Sequence, residues 1–118
     1  MKLTIRTIVD HGHDSERIVL DVTQVADLKY YLVFDTTYLR PGAISNKLRH
    51  TYWFAAQAVK VGDVIVLYTK KGSNTSRQEN GHTVYSYYWD LDSCVWNDEG
   101  DRALLMEANA WNTKGFGA

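Results

Sequence analysis

Between His82 and Leu91 the chain carries large side chains on both sides of one extended segment. Tyr85, Tyr87, Trp89 and Leu91 fall on one face, and Val84, Ser86, Tyr88 and Asp90 on the other. Alternation with period two is the mark of a strand, and a strand in a layered protein buries only one face in its own core. The Tyr85 side is bulky enough to be that face, which leaves Tyr88 and Val84 pointing outward. A chain built around such a segment must supply a second layer to cover it. Its composition agrees: ten Thr, eleven Val, five Ile and fifteen aromatic residues stand against one proline, a mixture that prefers pleated surfaces to helices.

The remaining segments read as strands separated by turns. Residues 3–9 alternate as a half-buried or edge strand, residues 10–16 turn, and residues 17–22 and 28–35 are further strands, the latter apolar enough to be central. Arg40-Pro-Gly42 marks a loop. Residues 43–60 are read as loop then strand, although Ser45 could cap a short helix. Val61-Gly62-Asp63 turns the chain into Val64–Thr69, the clearest buried strand, and residues 70–81 read as an exposed loop. Residues 102–107 form the last strand. Ile65, Leu67, Trp96 and Leu104 are the expected core residues. About seven strands in 118 residues predict a single all-β domain over residues 1–118, a two-layer antiparallel sandwich.

Charge and cysteine usage narrow the function classes. Thirteen Lys and Arg against fourteen Asp and Glu give a net charge of -1, which removes the electrostatic drive toward nucleic acid or an anionic membrane. Cys94 has no internal disulfide partner, as suits a reducing, cytoplasmic setting. The first ten residues carry Lys2, Arg6 and Asp10 and never reach a continuous apolar run, so neither a signal peptide nor a membrane span is expected.

Residues 95–108, VWNDEGDRALLMEA, resemble the signature of lamin-tail-type domains: a Trp-Asn pair, an acidic Gly-Asp turn and an apolar strand. Residues 61–69, VGDVIVLYT, are similar to the element preceding it, and Trp53-Phe54 also fits. With the strand at 28–35, the resemblance spans roughly residues 17–110. It implies an immunoglobulin-like sandwich used as a non-catalytic binding module. Read physically, Trp96, Asn97, Gly100 and Asp101 are a fold device first: turn residues that bond nearby backbone, a glycine free to take a positive φ, and a tryptophan covering one end of the sandwich.

Candidate chemistry is sparse. His11 and His13 sit two apart and could begin a metal site, but a third convergent ligand is required, and a solvated hairpin loop explains them better. Asp90, Asp92, Asp98, Glu99 and Asp101 fit no calcium loop and read as solvated charge. Cys94 has no neighbouring base or cation, which makes it a small core residue. No catalytic residue, metal or cofactor is expected. The surplus is aromatic. Tyr88, with Lys70, Lys71 and Arg77 in the adjoining loop, is the candidate ligand- or partner-binding set. The leading expectation is a non-catalytic module for protein interaction or self-association, a homo-oligomer formed through the sheet containing Tyr88. A binder of a small planar anionic, nucleotide-like ligand is the alternative, and a metal-dependent enzyme the third.

Overall fold

The computed structural model describes residues 1–40, 42–97 and 99–117. Pro41 of the expected loop and Asp98 of the acidic turn lie outside the described residues. Among those described there are eleven strands: β1 (Leu3–Val9), β2 (Arg17–Val22), β3 (Ala26–Asp27), β4 (Tyr31–Arg40), β5 (Ala43–Ile44), β6 (Thr51–Trp53), β7 (Ala58–Val59), β8 (Val64–Tyr68), β9 (Thr75–Glu79), β10 (His82–Tyr88) and β11 (Asp101–Glu107). The protein is all-β, and its only helical element among the described residues is one 3-10 turn, Leu28–Tyr30. A five-stranded sheet runs in the order β1-β2-β8-β10-β9. The second sheet runs β11-β4-β5, with β6 also paired to β4, and β3 pairs with β7.

The two larger sheets enclose the core. Leu3, Ile18, Leu20, Ile65 and Leu67 face it from the first sheet, and Tyr31, Val33 and Leu105 from the second, all of them buried. The register aligns these residues across neighbouring strands: Leu20 lies opposite Ile65, Ile18 opposite Leu67, and Val33 opposite Leu105. Tyr85 and Tyr87 pair with Ile65 and Leu67 and point inward, as the alternation requires, while Val84 and Tyr88 point outward. Trp89 and Trp96 close the core beyond the strands.

Five local expectations need correction. Residues 28–30 are a 3-10 turn and not the start of a strand, because the Asp27 carboxylate accepts from the Lys29 backbone N–H at 3.0 Å and caps the turn. Residues 75–79 are a strand rather than loop, since Asn80 and Gly81 both take positive φ, 52° and 82°, and reverse the chain into β10. That paired left-handed geometry belongs to a tight hairpin turn, for which Asn-Gly is the preferred pair. One pairing, β10 with β8, is parallel: β9 carries the chain outward, and β10 returns between β9 and β8. Leu104 lies on the outer face of its sheet opposite Phe34 and is only half-buried, the core position being taken by Leu105. A bulge at Arg6 also breaks the expected alternation of β1: Ile8, opposite Ile18, packs on the core, whereas Ile5, opposite Leu20, stays exposed.

Asp63 ties the turn before β8 to β10. Its carboxylate is buried and accepts from the Thr83 and Lys60 backbone N–H groups, both at 3.0 Å, and from the Lys60 ammonium at 3.4 Å. Burial pushes its pKa up, but these donors outweigh burial and hold it below the ordinary carboxylate value. A depressed folded pKa contributes stability that is present above the unfolded value, about 4, and is lost as the pH falls through the folded value. Urea unfolding of the wild-type protein is therefore expected to weaken from about pH 4 downward, with a shallower decline in Asp63→Asn. Equal acid slopes in the two proteins would contradict this role.

Candidate binding surface

Tyr88 is not a free ring. It stacks on Tyr68 with centroids 5.0 Å apart and planes 9° from parallel, and Arg17 and Lys70 lie 5.6 and 5.7 Å from the Tyr68 centroid. Gly72 approaches the ring so closely that a Cβ there would collide with Tyr88 Cδ1. Stack and loop leave the ring half-buried, which answers by packing within one chain the exposure that made it a candidate contact. Within the chain, Tyr88 packs as part of the outer face of the five-stranded sheet.

The three expected cations do not converge on Tyr88. Arg77, on β9, is bound at 3.0 Å to Glu79. Lys70 and Lys71 line a cavity of about 620 Å³ with Asp14, Thr69, Leu91, Asp92, Ser93 and Cys94. Lys70 is 3.6 Å from Asp14 and Lys71 is 3.1 Å from Asp92, so each cation at the rim already faces a carboxylate. Cys94 donates its thiol to the His13 carbonyl at 3.0 Å, and burial, with Glu16 and Asp14 nearby, pushes its pKa up. A raised pKa disfavours the thiolate and with it nucleophilic chemistry. His11 and His13 are exposed in the 10–16 turn. Among the described residues no three His, Cys, Asp or Glu side chains gather as a metal site, and no helix is long and apolar enough to cross a membrane.

Two polar clusters escaped the sequence reading. Glu16 is fully buried, and its carboxylate accepts from the backbone N–H groups of Gly12 at 2.8 Å, Val95 at 2.9 Å and Trp96 at 3.2 Å. Asp35, buried on β4, accepts from the His50 backbone at 2.6 Å and lies 3.0 Å from His50 Nδ1. Both stitch a loop to the sandwich. Residues 96–102 do the same: the Trp96 indole donates to the Arg102 carbonyl at 3.2 Å, and Asp101 lies 3.7 Å from Arg49. Asn97 is exposed beside Gly12. Gly100 is not among the glycines with positive φ, so the expected left-handed turn there is corrected.

The exposed aromatic surface lies on the other sheet. The outer face of β4, β6 and β11 carries Leu32, Phe34, Trp53, Leu104 and Met106, since Trp53 and Met106 both pair with Leu32, and Leu104 with Phe34. Trp53 is 49% exposed, Met106 40% and Trp111 50%, values that single them out from the buried rings of the core. Trp53 is held by its indole N–H donating to the Lys29 carbonyl at 2.7 Å. Trp111 meets it edge-on at 4.9 Å and lies 6.0 Å from Tyr30. The rings on the inner side behave differently: Tyr87, packed against Tyr52 and Phe54, has its hydroxyl pKa pushed up to about 12 by burial. Fixed rings half in water present a large apolar area at little further entropy cost, which is what contact surfaces use. No protein-family model matches the chain, and no curated protein matches it.

Proposed function

We propose that the domain is a non-catalytic binding module that acts through the β4-β6-β11 sheet, whose outer side is apolar, with a second copy of itself as partner. The carrying observation is the half-exposed set Trp53, Met106 and Trp111 on one side of a sheet whose opposite side is core. Apolar area in water is unfavourable by about 25 cal/mol per Å², and a partner that covers any part of it lowers that cost in proportion. A net charge of -1 opposes pairing little. The lamin-tail-type resemblance of residues 95–108 and 61–69 favours the same reading, an immunoglobulin-like binding domain without catalysis, and the single cysteine suits a cytoplasmic setting.

A second reading is favoured by the cavity at Lys70 and Lys71, which is large enough for a small anionic ligand. Native mass spectrometry of the protein as purified separates the two. The expected spectrum contains dimer with no retained small molecule. Monomer carrying a nucleotide-sized mass would reverse the order of the readings.

A further inference from the structure

The second sheet ends on β11, and among the described residues β11 has a strand neighbour on one side only. Which of its backbone groups face outward follows from the bonds of β4. The Asp35 N–H donates to His50, and the Tyr31 carbonyl accepts from Phe54, so the odd-numbered residues of β4 bond toward β6. Its even-numbered residues must then bond toward β11, as the Ala108 N–H does in donating to the Tyr30 carbonyl at 2.7 Å. The register pairs Leu104 with Phe34 and Met106 with Leu32, even with even. Ala103, Leu105 and Glu107 therefore direct their N–H and C=O groups away from the sheet.

Open edges are normally blunted, and those of β1, β6 and β9 are. β1 carries the bulge at Arg6 and that residue's ion pair with Asp21, β6 is three residues long, and β9 is wholly exposed with Arg77 and Glu79 on it. β11 is seven residues long, has no proline, and no bulge interrupts its register. Its centre, Ala103-Leu-Leu-Met106, is uncharged.

We propose that β11 is the self-association edge: two copies pair antiparallel through it about a two-fold axis at Leu105, joining the β11-β4 sheets of both into one. The pattern of the strand selects this partner and this register. With Leu105 opposite its own copy, Leu104 faces Met106 of the second chain on the outer surface, and Ala103 faces Glu107 on the inner one. A shift of the axis to Leu104 would set Glu107 against Asp101, two like charges. The apolar outer faces carrying Trp53 and Met106 then become one continuous surface. This inference rests on the self-association proposed above and adds where it occurs.

Ala103→Pro tests it, because the N–H that proline removes points outward and takes no part in bonding to β4. Sedimentation equilibrium is expected to show dimer dissociation at least tenfold easier in Ala103→Pro than in wild type, at unchanged circular dichroism. Met106→Lys, at an exposed position, is the second variant and is expected to weaken pairing by a similar factor. Amide exchange of the wild type should show Ala103, Leu105 and Glu107 gaining protection as concentration rises. A dimer indifferent to both variants, with those amides unprotected, overturns the edge and leaves self-association standing. Loss of the dimer in Trp53→Ala alone would assign pairing to the face instead. A wild-type monomer at hundreds of micromolar would remove both.

Discussion

Glu16→Ala is expected to lower unfolding free energy by about 3 to 5 kcal/mol, measured by urea denaturation at neutral pH. The carboxylate has no access to water, and three backbone donors, from Gly12, Val95 and Trp96, converge on its two oxygens. Truncation strands these donors, and a buried donor without a partner costs about 1 to 3 kcal/mol, partly recovered where water enters. Glu16→Gln keeps one oxygen but turns an amide NH2 toward an N–H, so it should fall between alanine and wild type. A loss below about 1 kcal/mol in the alanine variant would mean that the 10–16 turn and the 92–97 segment hold their positions without this side chain.

Leu67→Ala carries the second large effect. Leu67 is fully buried between Ile18 on β2 and Tyr87 on β10, at the centre of the five-stranded sheet. Removing its branched end should cost about 2 to 5 kcal/mol, the transfer term plus the cavity left by incomplete collapse. Leu104→Ala is the internal control. Leu104 is half-buried on the outer face of β11, so its truncation should cost well under half as much. The reverse order would place Leu104 in the core and Leu105 outside, and would invert the face on which β11 is built.

What the sequence carried was local alternation. The inward and outward sets of β10 follow from period two alone, and Ile65 and Leu67, in an apolar run beside the Val61-Gly62-Asp63 turn, are buried as that run implies. Adjacent leucines defeat that rule: in Leu104-Leu105 either residue can face the core, and only pairing with Val33 decides. The hairpin at Asn80-Gly81 was legible, as an Asn-Gly turn between two extended segments, but the polar sequence of β9 resembles a solvated loop because β9 buries nothing. The parallel β8-β10 pair had no local signal, since strand order is a tertiary property.

The site was less legible than the fold, for the same reason. Tyr88 looked free because the ring that stacks on it, Tyr68, lies in a different strand, and because Gly72 gives no hint of how closely its backbone approaches. Trp53 fits a family pattern in sequence, whereas its half-exposure depends on β6 being a short strand with, among the described residues, only the Trp111 ring against its own. Glu16 and Asp35 would pass as ordinary surface carboxylates; their partners lie 79 and 15 residues away.

Sedimentation equilibrium of the wild-type chain at neutral pH, from tens to hundreds of micromolar, tests the central claim most directly. The account predicts a reversible monomer-dimer equilibrium that is left intact by Tyr88→Phe, which preserves the stacked ring. A single ideal monomer species across the whole range would contradict it.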